Sequence, residues 1–354
     1  MRERLKSYTI VILFMSLVWL AMMNWFYWSD VRLDAEAEGA ETPGRVAVID
    51  AARPVAGDFD SYRVHLGELF AAADTRMEIS RREWDAALAD GGVYFRFLCP
   101  TPAWLVAEGL SFEESDIFGG VEVFEMILSE DGLFVFDGGG YTHFSAPLPV
   151  VLPERAAAGG DNGALVSYAV TSSRFMEEPY LSELLESLAF NPNTNFRYTQ
   201  TDGEMVVVDD ARTLHINPNG RVVYLDATSY DDEPVTNERE AVRLCLGMTP
   251  RGDAFWGDGQ LVFNSVESLD GELSLALTYV LNGAAFLDWQ TVFTVRSGIL
   301  REAVIYLAPA ALSGEMVRLM PRERAESLLP PGRRVCVGYS AVGGGVWAPD
   351  WYGY

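Results

Sequence analysis

The chain has 354 residues, 49% of them hydrophobic and 12% aromatic, a composition that fills folded cores and excludes long disordered tracts. With 51 acidic against 26 basic side chains its formal charge is −25, which excludes a sequence-independent grip on nucleic acid or on anionic lipid head groups. Its three cysteines, Cys99, Cys245 and Cys336, are far apart and form no C-x-x-C pair, so neither a zinc site nor a disulfide framework is indicated; one disulfide among them stays open.

Residues 1–6 are a short basic tail. The next stretch, "SYTIVILFMSLVWLAMMNWFYW" from Ser7 to Trp28, carries no charge. About 20 such residues, at ~1.5 Å each, cross a hydrocarbon core of about 30 Å, so a transmembrane helix is expected over 7–28. Trp25, Tyr27 and Trp28 cluster at its far end, as interfacial aromatic side chains do. Arg2, Arg4 and Lys6 precede the run and Asp30, Asp34, Glu36, Glu38 and Glu41 follow it, which places the N-terminus in the cytoplasm and the rest outside the cell membrane. Ala35 and Ala37 offer the pattern of a signal-peptide cleavage site, but the apolar run is longer than a signal core and acidic residues separate it from them. An uncleaved anchor is the expectation.

Residues 29–44 are acidic and poor in large apolar groups, which suits a solvated stalk. A first module is expected over 45–155. "RVAVID" alternates as a strand, and Ser80 and Glu83 stand in capping-box spacing at the start of the helical "SRREWDAALAD". Two apolar runs joined at Asp131-Gly132 predict a hairpin, and the Pro-rich "APLPVVLPE" closes the module.

A middle module is expected over 156–248. Leu181, Leu184, Leu185 and Leu188 mark a helix with one apolar face, ending in the turn-forming "FNPNTN". In "RTLHINPNGRVVYLDA" Leu214 and Ile216 share one face of a hairpin turning at Asn219-Gly220, and His215 points to the other. Asn237 and Glu240 predict a capped helix through "NEREAVRLCLGM". The last module, 249–354, is rich in strands, with turns at Asn282-Gly283 and Ser297-Gly298, a helix-like "PRERAESL" and a closing aromatic run. The class is therefore α+β: one N-terminal transmembrane helix, then an extracytoplasmic ectodomain of two or three modules with antiparallel sheets and packed helices.

Signals for chemistry are weak throughout. His65, His143 and His215 lie in three separate segments without metal-ligand spacing. "GYSAV" around Ser340 lacks the final glycine of a nucleophile elbow, and Lys6, the only lysine, precedes the span, which excludes Ser-Lys and Schiff-base mechanisms outside. Acid pairs such as Asp58/Asp60 and Asp231/Asp232 arise freely among 51 acids, the glycine runs lack a phosphate-binding context, and Arg251-Gly252-Asp253 sits in ordinary loop composition. No catalytic residue, cofactor or metal ligand is expected. Trp347, Trp351 and Tyr352 in "WAPDWYGY" could stack on a sugar or peptide, as in a binding module for cell-wall glycan or peptide; the alternative is a final strand packing its aromatics on the core.

The order of parts resembles a known family. A basic tail, one span, and then "LLESLAFNPNTNFRYTQTDGEMVVVDDARTLHINPNGRVVYLDA" is similar to the YycH/YycI family of extracytoplasmic regulators of Gram-positive bacteria, whose hairpin has the form L-x-I-x-x-x-G-x-V-x-Y. Leu214, Ile216, Gly220, Val222 and Tyr224 fit that form. The segments "LTYVLNGAAF", "FTVRSGIL" and "VGYSAVGGGVWAPDW" resemble its C-terminal module, and residues 45–150 fit the extra module of the longer YycH type. The resemblance implies a non-enzymatic accessory protein that associates with a membrane sensor histidine kinase, WalK, in a two-component system controlling the cell wall, with a second related regulator as a further candidate partner. Within the span, Ser16 and Asn24 are two turns apart and are candidates for interhelical hydrogen bonds to such a partner.

Overall fold

Phe59, Tyr62, Leu66, Leu69 and Phe70 recur at helical spacing and form the buried stripe of α1 (Phe59–Ala72), a helix the sequence reading did not assign. The computed structural model describes residues 53–353, apart from 55–58, 147–164, 171–173, 192–194, 229–236, 252, 282, 308–309, 318, 320–324, 326, 329–334 and 344–345. The 7–28 run, the stalk and the "RVAVID" strand lie outside the described residues. Among the described residues no helix is long and apolar enough to cross a membrane.

After α1 come β1 (Thr75–Ile79), α2 (Arg81–Ala89), β2 (Val93–Pro102), α3 (Ala103–Gly109), β3 (Glu122–Ser129), β4 (Gly132–Phe136) and β5 (Tyr141–Ser145). The expected capping box opens α2: Ser80 Oγ accepts from the Glu83 N–H at 3.4 Å, and the Ser80 N–H donates to Glu83 Oε2 at 2.7 Å. The strands form an antiparallel sheet in the order β1-β5-β4-β3-β2. The β3–β4 hairpin turns just before Gly132, whose φ is +137° and whose added Cβ would stand 2.3 Å from the Phe144 carbonyl oxygen. Only glycine fits there. On one face α1 packs Leu66 and Phe70 with Phe95, Val123 and Phe144; on the other, Trp84 of α2 meets Ile127 and Phe134.

The remaining elements are β6 (Leu165–Val170), α4 (Tyr180–Ser187), β7 (Phe196–Thr199), β8 (Met205–Asp209), β9 (Arg212–Ile216), β10 (Arg221–Asp226), α5 (Glu238–Gly247), α6 (Asp253–Trp256), β11 (Gln260–Leu269), β12 (Glu272–Leu281), β13 (Ala284–Arg296), β14 (Ile299–Tyr306), β15 (Ala310–Val317), β16 (Val335–Gly343) and β17 (Val346–Gly353). Their strands share one sheet with the path β15-β6-β17-β16-β13-β14-β10-β9-β8-β7, and β12 and β11 branch from β13. All pairs are antiparallel except β13–β16, where Ala285 faces Gly338 and Phe286 faces Tyr339 in parallel. A helix followed by a four-strand meander recurs: α2 with β2–β5, α4 with β7–β10, and α5–α6 with β11–β14. β10 and β14 join the last two meanders edge to edge.

Leu181, Leu184, Leu185 and Leu188 are all buried, as their spacing predicts. The helix stops earlier than the expected "FNPNTN" turn. Ala189 adopts φ +57°, and the Phe190 N–H closes on the Leu185 carbonyl at 2.8 Å, which drives Phe190 into the core beside Tyr224. Arg212 fastens this corner, donating to the Ala189 carbonyl at 2.6 Å and pairing with Asp209 at 2.9 Å. Asn237 caps α5 by accepting from the Arg239 N–H at 2.8 Å, so the cap bond goes to the second helical residue rather than to Glu240.

The two sheets meet along one stretch of chain. β2 loses register between Arg96 and Thr101, and Leu98 packs there on Val262, Val280 and Ala285, while Cys99 Sγ lies 3.3 Å from the Phe263 carbonyl. In α3, Ala103, Val106 and Ala107 face the smaller core, whereas Leu105 is fully buried in the larger one with Trp104 beside it. Two arginines of α5 grip the same stretch: Arg243 bonds the Glu108 carboxylate with Nε at 2.5 Å and Nη2 at 2.9 Å, and Arg239 pairs with Glu114 and lies 5.1 Å from the Trp104 ring centre. The bonds from Glu108 raise the proton affinity of Arg243 further.

Two expectations follow. Leu105→Ala should cost about 2–5 kcal/mol and speed amide exchange in both sheets, because its helix stands in one core and its side chain in the other. Faster exchange confined to the smaller sheet would contradict this. The bonds from the Ser80 backbone and side chain hold the Glu83 carboxyl below the usual carboxylate range. A depressed folded value means the contribution is present above the unfolded pKa and is lost as pH falls through the folded one. Protection of the α2 amides, taken relative to intrinsic exchange at each pH, should therefore fall on acidification in the wild type, a step that Glu83→Gln removes; matching acid profiles would refute it.

Candidate interaction surface

Of the residues nominated from sequence, Ser16 and Asn24 lie outside the described residues. Trp347, Trp351 and Tyr352 stand on β17, where alternation puts the two tryptophans on one face and Tyr352 on the other. Trp347 is half-buried against the larger core, its ring 4.6 Å from that of Trp289 and 6.5 Å from that of Phe286. The buried Nε1 atoms of Trp289 and Trp347 have no hydrogen-bond partner among the described residues. Trp351 and Tyr352 are half-exposed, and the Tyr352 ring lies over Gly338, where a Cβ would come within 2.9 Å of it.

The groups that could do chemistry are dispersed. His143 stacks on Phe134 at 4.3 Å and its Nε2 bonds the Asp131 carbonyl at 3.1 Å; His215 Nδ1 lies 3.2 Å from Glu204 Oε2; His65 is on α1. Among the described residues no group of three His, Cys, Asp or Glu side chains could hold a metal ion. Cys99 and Cys245 are free thiols that burial pushes up to about 12, far from the thiolate a nucleophile needs. Ser340 sits mid-strand in β16 opposite Ala348, not on a strand-to-helix turn.

What the strands do assemble is a surface. One face of the β7–β10 meander, with Val207, Leu214, Ile216, Val222 and Tyr224, is buried in the larger core together with Leu181, Leu184 and Leu185 of α4. The opposite face carries a row in direct register from Tyr198 through Val206, His215, Val223 and Val304 to Val292. Phe196 is 67% exposed, Tyr198 46% and Leu225 40% on that face. The histidine that alternates with Leu214 and Ile216 in "RTLHI" is one member of this row. The sequence reading passed over Phe196 and Tyr198; their i, i+2 spacing is the signal that marks them as sharing one face of a strand.

No family model and no curated protein matches the sequence. Among solved structures the chain is similar to YycH from Bacillus subtilis, with a TM-score of 0.50 and 9% sequence identity, over 86% of this chain and 94% of that one. At this identity the likeness is one of fold: the described α+β architecture is YycH-like.

Trp347 and Phe196 should behave oppositely on truncation. Trp347→Ala removes a ring packed on Trp289 and is expected to cost about 3 kcal/mol, whereas Phe196→Ala should stay within about 0.5 kcal/mol of the parent. Denaturant midpoints measure both, and a neutral Trp347→Ala would show that this ring does not belong to the core.

Proposed function

We propose that the chain is a membrane-anchored, non-enzymatic regulator that binds a membrane sensor histidine kinase of the WalK type and modulates two-component signalling in cell-wall control. The observation that carries this reading is the likeness of fold to YycH along nearly the whole of both chains. The hairpin residues Leu214, Ile216, Gly220, Val222 and Tyr224 support it from the sequence side, since they fit the family pattern whose members are implied to act on that kinase. In this reading residues 7–28 cross the cell membrane once, with the N-terminus cytoplasmic and the described domain extracytoplasmic, as the charge asymmetry about the run favours.

A regulator moves a kinase between signalling states only by binding one state better than the other. To shift a balanced equilibrium tenfold takes about 1.4 kcal/mol of differential affinity, which a few contacts supply. Ser16 and Asn24 would contribute such contacts within the bilayer, and the ectodomain outside it. Wall binding through Trp347, Trp351 and Tyr352 is the weaker reading, because the Trp347 ring is already packed against Trp289.

Replacement of residues 7–28 by an unrelated apolar span, with kinase-dependent transcription and site-specific crosslinking as readouts, tests the proposal. Altered transcription and a crosslink to the kinase are expected. Unchanged transcription together with no crosslink from span or ectodomain would overturn it.

A further inference from the structure

Among the described residues β7 is the last strand of the larger sheet and pairs with β8 alone, from Phe196 opposite Val208 to Thr199 opposite Met205. An edge strand presents backbone N–H and C=O groups to any extended chain that reaches it, and edges are ordinarily guarded by charge, proline or a covering element. The edge of the smaller sheet follows that rule: β1 is exposed from Thr75 to Glu78 and carries Arg76 and Glu78. β7 departs from it. Its outer-face side chains are Phe196 and Tyr198, exposed and in mutual contact at 5.8 Å between ring centres. Its single charge, Arg197, alternates to the other face and is bonded to Glu178 at 3.1 Å and Asn195 at 2.6 Å.

The rim of this edge is acidic. The two nearest arginines are already paired, Arg197 with Glu178 and Arg212 with Asp209. Glu177, Asp202 and Asp210 stand exposed around the strand. An apolar edge inside a negative rim selects a chain that is extended, apolar at alternate positions and positively charged between them.

We propose that β7 is the docking edge for an extended basic segment of a protein partner, which joins the sheet as a further strand and lays its apolar side chains on Phe196 and Tyr198. Backbone pairing aligns the segment, the aromatic pair supplies buried area, and the acidic rim speeds encounter and rejects acidic chains. The inference does not depend on the partner being a kinase, so either can fail without the other.

The test uses the full chain in a non-ionic detergent, titrated with a fluorescent peptide alternating valine and lysine, and with its valine–glutamate counterpart. Hydrogen exchange over residues 196–199 and sedimentation are followed in parallel. The valine–lysine peptide is expected to bind, to protect those amides, and to bind at least about tenfold more weakly to the Phe196→Ser/Tyr198→Ser protein and at high salt. Tyr198→Lys, which keeps a long side chain but adds a positive charge where the peptide's lysines approach, should weaken it similarly, and unchanged denaturation midpoints exclude misfolding. Equal binding of both peptides, binding unaffected by the substitutions, or absence of binding overturns the proposal. So does a self-association that the double substitution abolishes, since the occupant would then be a second acidic copy.

Discussion

The architecture depends on one stretch of chain, Phe95 to Gly109, whose side chains are divided between two cores. Phe95, Phe97, Ala103, Val106 and Ala107 fill the smaller core, and Leu105, with Cys99 and Trp104 beside it, fills the larger. The break in register after Arg96 makes the division workable: it frees the following residues from strict alternation on the smaller sheet, so that Leu98 and Cys99 reach β11 and β12. Full burial of a leucine is worth roughly 2 kcal/mol, whereas half-exposed ion pairs contribute about 1 kcal/mol or less. The apolar inset therefore supplies the adhesion between the sheets. The Arg243–Glu108 and Arg239–Glu114 pairs, directional and partly screened, orient it.

Register in the larger sheet is held by its turns. Asp270-Gly271 and Ser297-Gly298 both have two consecutive positive φ values, the mirror-image geometry that matches the twist of flanking strands. β13, flanked by these strands, pairs with β12 along most of its length and meets β16 near its start and β14 near its end. A slip of one residue in any of these pairings would carry Phe293 and Val295 out of the core and bring Val292 and Thr294 in. The same alternation, propagated through β14 and β10 to β9, puts His215 on the outer row. Its position follows from the burial of Leu214 and Ile216 and needs no chemical role to explain it.

Legibility from sequence followed the range of the interaction. The capping box at Ser80, the leucine stripe of α4, the hairpins near Asp131-Gly132 and Asn219-Gly220 and the turn at Ser297-Gly298 are all set by neighbours a few residues apart, and each appears in the structure, the two hairpins turning one residue earlier than those pairs. The α1 stripe was equally local but was masked by the interspersed Asp60, Arg63, His65 and Glu68 and by the lack of a marked start signal. Pairings such as β6 with β15 and β17, or β13 with β16, join strands distant in the chain and leave no periodic trace. For the same reason the aromatic run at the C-terminus left two readings open, packing on the core or stacking on a ligand, and only the tertiary neighbour Trp289 decides where the Trp347 ring goes. The exposed pair on β7 escaped notice because a strand's exposure depends on what its sheet leaves uncovered.

Charge accounts for how such an edge can persist. An unguarded strand with two exposed aromatic side chains would pair with its own copies if nothing opposed it. Two chains of formal charge −25 repel as they approach, and the repulsion is concentrated where both present acidic rims. Pairing with β7 would set only the four residues of that strand against this repulsion. The guard thus lies around the strand instead of on it, and unlike a lysine or proline within the strand it discriminates by sign. In the proposed docking it would disfavour the chain's own copies and other acidic proteins while leaving the edge open to a partner of opposite charge.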